Sequence, residues 1–326
     1  MTGRVRALLL SAAVGLVGVV AAAPAQATFP GTNGRIAFSE GVQVPTDDLS
    51  VPSQIFTIEP NGTGLAQLTN VAGGQTAALP DISADGKRIV FESNASGPYE
   101  IWVMNADGSG QAKLTHRSGF EAFQPSWSPD GAHIVFSSCG EPLGFPGYCD
   151  IDVMNADGTG VHRLVGGHRY HLRPEYSPNG NRIVFSSDRK GLISALWAVR
   201  SDGSKLKRLT PPHLEAFWPD WAPNGKRVLF TDNCCRRGSN VRTVRAGGGG
   251  VKRITHFGAR LADRAFASYS PDGRRIVFFY SRTCSGSPCG DVFTMAANGS
   301  RRHRVPTGVK TPDPGLPITT DWGPSG

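Results

Sequence analysis

The sequence predicts an all-β protein, a six-bladed β-propeller of four-stranded antiparallel blades, with the ring closed by pairing N- and C-terminal strands. Three observations carry that expectation. A ten-residue phrase recurs five times: "ISADGKRIVF" from Ile82, "WSPDGAHIVF" from Trp127, "YSPNGNRIVF" from Tyr176, "WAPNGKRVLF" from Trp221 and "YSPDGRRIVF" from Tyr269. Its turn glycines, Gly86, Gly131, Gly180, Gly225 and Gly273, are 45, 49, 45 and 48 residues apart, a period that marks a repeat architecture. The ends of the chain complement each other: "NGRIAF" (33–38) is a turn and second strand lacking a first strand, and "TTDWGPSG" (319–326) is a first strand lacking a second. Joining them makes a sixth unit and removes two exposed sheet edges.

Within each unit four strands follow in order. Strand a ("QPSWS") ends in a Ser-Pro-Asp-Gly turn, where proline presets φ and glycine takes the conformation that other residues resist. Strand b is "HIVF" and strand c "IDVMNA"; a second Asn-Ala-Asp-Gly turn leads into the short strand d, "VHRLV". Apolar and polar residues alternate through these segments, and nothing reads as a long amphipathic helix. Four antiparallel strands repeated radially are a propeller blade.

Residues 1–27 read as an export signal: Arg4 and Arg6, an apolar run from Leu8 to Ala23, and the small-x-small site Ala25-Gln26-Ala27. A membrane anchor is the alternative, but the run is shorter than the roughly 20 residues that span a bilayer. The expectation is a secreted chain, periplasmic or extracellular, with 28–326 forming one propeller domain. In an oxidising compartment the six cysteines are expected to pair. Cys139 with Cys149 and Cys284 with Cys289 bracket loops as local staples, whereas the adjacent Cys234 and Cys235 either bond each other or reach distant partners. No pair has the C-x2-C spacing of a zinc site.

The formal charge is +8, or +6 without Arg4 and Arg6, and its densest basic run is Arg301-Arg302-His303-Arg304. Nucleic acid is not an expected partner, because basic residues are spread through the chain and export removes the opportunity; an anionic envelope polymer is a weak alternative. A monomer is expected.

The phrase "SPDGxRIVF" followed by "IWVMNADGSGxxxLT" resembles the PD40, WD40-like repeat of the TolB-type propeller family, over essentially all of 28–326. That resemblance implies the fold firmly and the function loosely, since such propellers serve as protein-docking platforms, as gates of peptidases and as scaffolds of oligogalacturonate lyases. TolB proteins carry an α/β domain before the propeller, whereas Phe29 here runs almost directly into "NGRIAF"; a Tol–Pal role is therefore not implied. There is no Gly-x-Ser-x-Gly elbow for a peptidase.

Strand order puts the stereotyped a–b and c–d turns on one face and the variable b–c and d–a loops on the other, which is the expected binding face. The residue before the strand-a proline should ring the channel mouth: Leu79, Gln124, Arg173, Trp218, Phe266 and Thr319. Gln124, Arg173, Trp218 and Phe266, with Glu121, Glu215 and Tyr170 from the d–a loops, are the expected contacts for a protein, peptide or glycan. After the proline position stand Asp81, Ser126, Glu175, Asp220, Ser268 and Asp321. The four carboxylates would repel one another unless a cation such as Ca2+ offsets them, or unless each bonds amides within its own blade. The competing reading is a carbohydrate-active enzyme built on His168, His171 and His213 with Arg173. No catalytic residue is assigned, and no cofactor beyond that Ca2+ is expected.

Overall fold

The computed structural model describes residues 30–41, 53–72, 74–116, 119–140, 148–167, 169–189, 194–232, 239–256, 265–284, 287–307 and 320–325. Residues 1–27, read from the sequence as an export signal, lie outside the described residues, as do Cys234, Cys235, His168, Thr319 and the side chains of Cys284 and Cys289.

Each repeat folds as one four-stranded sheet, and six such sheets form a six-bladed β-propeller with no helix among the described residues. Blade I is closed across the termini: Thr320–Pro324 pairs antiparallel with Asn33–Gly41, aligning Ile36 with Trp322 and Ala37 with Asp321. Blades II to VI follow in chain order, with strands a beginning at Ala77, Phe120, His171, Ala216 and Ala265. Among the described residues no helix is long and apolar enough to cross a membrane.

Strand b reads as an unbroken apolar run because it is covered on both faces by neighbouring blades. Ile89, Val90 and Phe91 are buried, as are Ile134, Val135 and Phe136. The strand-a residue two places after the proline position is large and buried in every blade: Ile82, Trp127, Tyr176, Trp221, Tyr269 and Trp322. Arginine from the preceding blade caps two of these rings, Arg88 over Trp127 and Arg182 over Trp221.

The c–d turn explains why "NADGSG" recurs. Gly158 has φ +86°, and a Cβ there would stand 2.6 Å from the Leu114 carbonyl oxygen of the preceding blade. Glycine therefore satisfies both the turn and the approach of blade to blade. In blades I, II, IV and V a threonine after strand d ties it back to strand c. Thr69, Thr115, Thr210 and Thr255 accept from the strand-c amides of Ile55, Ile101, Leu196 and Val241 at 2.8, 2.9, 3.1 and 2.9 Å. On the opposite face Cys139 and Cys149 stand directly across strands b and c of blade III and form a disulfide.

Candidate functional site

Four of the innermost strands break register at the same place. The pairing shifts between Ala78 and Asp81, Phe123 and Ser126, Leu172 and Glu175, and Phe217 and Asp220. Each bulge contains an X-Pro dipeptide, and each X has positive φ: Leu79 54°, Gln124 58°, Arg173 59° and Trp218 56°. A left-handed conformation costs an L-residue roughly 1–2 kcal/mol, so the scaffold holds four side chains against strain around the axis.

Those side chains line an open funnel, together with Phe266, Asp81, Glu175, Asp220, Ser268, Thr320 and Asp321. The Arg173 guanidinium lies over the Trp218 ring, and Trp218 meets Phe266 edge-on. Gln124 is a structural hinge as well: its Oε1 accepts from the Arg173 amide at 2.8 Å and from Ser137 Oγ at 3.0 Å. Glu121, Glu215 and Tyr170 are not among the funnel's lining residues. Glu121 instead accepts from the Tyr99 amide at 3.3 Å, and Tyr170, which is exposed, is tilted against Tyr148.

Three of the four carboxylates below the mouth bond an amide of the next blade, which corrects the expectation that each serves only its own; Asp321 also accepts from the Trp322 amide of its own blade. Asp81 accepts from the Trp127 amide at 2.7 Å, Asp220 from Tyr269 at 2.8 Å and Asp321 from Ile82 at 2.8 Å. Ser268 Oγ reaches Asp321 at 3.5 Å, and Ser126 donates to Glu175. The strand-a positions therefore form a chain of blade-to-blade staples around the axis. Burial, reinforced by the neighbouring carboxylates, pushes Asp81 and Glu175 well above the usual range; burial lifts Asp321 to about 6. Among the described residues no group of three or more His, Cys, Asp or Glu side chains is disposed to hold a metal ion.

Glu92 belongs to this site although its strand-b position gave no warning from the motif. It is buried, accepts from the Gln124 amide at 2.8 Å, and burial raises it to about 7 against the pull of Arg173. Burial in turn lowers Arg173 to about 9, opposed by Glu92. The available signal was a register comparison: the residue after "IVF" is Glu92 in blade II but Ser137, Ser186, Thr231 and Phe279 in blades III to VI.

The histidines do not form a cluster among the described residues. His171 lies in strand a of blade IV, fully buried, with Nδ1 2.8 Å from Ser187 Oγ and its ring edge-on to Phe185. Burial lowers its pKa. His213 is exposed.

With this geometry in place, the likeness to known proteins is informative. A TolB homolog of Chlorobium luteolum is 29% identical over 138 residues, covering 42% of this chain and 29% of that protein. The crystal structure of TolB from Acinetobacter baumannii superposes with a TM-score of 0.70 at 20% identity, over 90% of this chain and 67% of that one. The chain is a six-bladed β-propeller similar to those of TolB proteins. The structure of an oligogalacturonate lyase in complex with manganese is also similar, with a TM-score of 0.56 at 12% identity over 79% of this chain and 71% of the lyase. No family model matches. Of four curated relatives that it matches, the chain spans 17% to 38% of their length.

Proposed function

We propose that the chain is an exported, non-enzymatic binding propeller of the cell envelope, which docks a protein, peptide or glycan in the axial funnel on its loop face. The observation that carries this reading is the mouth itself: four strained positions, Leu79, Gln124, Arg173 and Trp218, present an aliphatic chain, an amide, a guanidinium and an indole toward one opening, beside Phe266. Aromatic faces with a small number of oriented polar groups suit a ligand segment that combines apolar and polar contacts. The likeness to TolB proteins agrees with an envelope location and a partner-binding role.

A lyase-like site is the weaker reading. His171 is buried with Nδ1 on Ser187, and His213 is exposed outside the funnel lining.

The test is an array of peptides and envelope oligosaccharides probed with the wild-type chain and with an Arg173→Ala/Trp218→Ala double variant. Binding at hot-spot aromatic and arginine positions is expected to fall at least about 30-fold, the equivalent of roughly 2 kcal/mol. Unchanged capture by the double variant counts against the funnel, and cleavage of oligogalacturonate by the wild type counts for an enzyme.

A further inference from the structure

The outer edges of the six blades are chemically unequal. In blades II, III and IV the c–d turn carries an acid, Asp107, Asp157 or Asp202; blade V replaces it with glycine at Gly247 and blade VI with Asn298. Blade I also has asparagine there, Asn61, without basic residues on its outer strand; in blades V and VI basic residues stand beside the acid-free turn. Arg245, Lys252 and Arg253 of blade V are exposed, and so are Arg301, Arg302 and Arg304 of blade VI. The two groups belong to one flank, because the blade VI turn rests on blade V's outermost strand: a Cβ added at Gly299 would overlap the Ile254 carbonyl oxygen.

Protection of sheet edges against pairing with other chains is a sufficient reason for some lysine and arginine on outer strands. It predicts similar charging of six similar edges. Blade I's outer strand, Ala66–Gln67, carries no charge, and blade II's, Ala112–Lys113, carries one. Blade IV's, Lys207–Arg208, carries two, but Asp202 stands in its turn and Arg208 donates to the Thr210 and Pro211 carbonyls. In blade III, Arg163 is paired with Asp150 at 2.8 Å. Concentrating like charge on one flank adds self-repulsion, which an anionic partner would relieve.

The chemistry of the flank narrows the partner. The exposed large apolar side chains among the described residues are Leu65, Tyr148, Val161 and Tyr170, none of them on blades V or VI. Peripheral membrane contacts usually seat apolar side chains below the headgroups, and single-stranded nucleic acid is held by stacking aromatics. This flank offers charge alone. We propose that the outer flank of blades V and VI binds a linear polyanion with repeating phosphate groups, at a site separate from the axial funnel.

The probe is immobilised inorganic polyphosphate, with retention of the whole chain measured as salt is raised from about 50 to about 200 mM, the range over which phosphate contacts weaken steeply. Replacing Lys252, Arg253, Arg301 and Arg302 by Gln is expected to lower affinity at least about tenfold at the lower salt. The slope of log affinity against log salt should shrink by about 3, at roughly 0.7–0.9 per lost phosphate contact. A second variant removes equal charge elsewhere, Lys87→Gln, Lys113→Gln, Arg163→Gln and Arg169→Gln, and should keep wild-type retention. Circular dichroism and an unchanged Tm establish that both variants fold. Equal losses in the two variants, no retention of the wild type, or preference for vesicles of anionic phospholipid over polyphosphate would each overturn the proposal.

Discussion

The innermost strand of blade VI and those of blades II to V occupy equivalent places in the ring with different local chemistry. In blade VI the sequence is Phe266-Ala267-Ser268, and the ladder runs without interruption from Ala265 opposite Tyr280 to Tyr269 opposite Ile276. In blades II to V the corresponding X-Pro pair buckles out of register and X takes positive φ. Proline cannot donate to a ladder, so the strand yields a bulge at that point. The comparison teaches that a single dipeptide type turns a wall residue into a mouth residue. Phe266 reaches the funnel by a regular strand geometry; the other four are forced there.

The strongest challenge to this contrast is Ala267→Pro, which inserts the missing proline into the one unbroken ladder. It should destabilise by roughly 3 kcal/mol, read as a lower denaturation midpoint. A midpoint equal to wild type would mean that blade VI accepts the bulge freely, and that proline alone dictates the mouth geometry.

A smaller effect is expected one position further along, where blades II and V carry a carboxylate and blade VI carries Ser268. Asp81→Ala leaves the buried Trp127 amide without its acceptor and should cost about 1–3 kcal/mol. Asp81→Asn keeps an acceptor while removing a charge from a crowded ring, and should be neutral or stabilising at pH 7.5. The pH dependence follows in sign. Asp321 and Glu92 bind protons more tightly folded than unfolded, with folded values of about 6 and about 7. Between their unfolded values of roughly 4 and these folded values, the native state holds more protons, so stability decreases as pH rises. Thermal denaturation should therefore give a higher Tm at pH 5 than at pH 7.5, and Glu92→Gln should flatten the difference; a Tm that increases with pH across this window contradicts the buried-acid account.

The smallest effect separates strain from contact among the bulged residues. Leu79→Gly should stabilise by about 0.5–1 kcal/mol, because glycine takes positive φ without the cost of a Cβ. Gln124→Gly should destabilise despite the same relief, since it removes the acceptor for both Arg173 N and Ser137 Oγ. Chemical denaturation of the two variants side by side distinguishes the terms: equal shifts would show that the Gln124 contacts contribute little.

Much of this molecule is written locally. The Ser-Pro-Asp-Gly and Asn-Ala-Asp-Gly turns, the alternation of strand c and the complementary half-units at Asn33 and Trp322 specify blade number, strand order and closure, because turn chemistry and a two-residue period act over a few neighbours. Four lining residues of the funnel were also readable, as the letter before the strand-a proline in blades II to V. What the tertiary structure alone decided are relations between blades. Asp81 bonds Trp127 rather than its own strand, Glu92 meets the Arg173 and Gln124 of later blades, and the Gly299 turn rests against Ile254. Those partners are 46, 32 and about 45 residues apart in the pairs Asp81 and Trp127, Glu92 and Gln124, and Gly299 and Ile254. Their meeting depends on the radial height at which one sheet packs against the next, a quantity set by side-chain packing across the whole ring and carried by no single repeat.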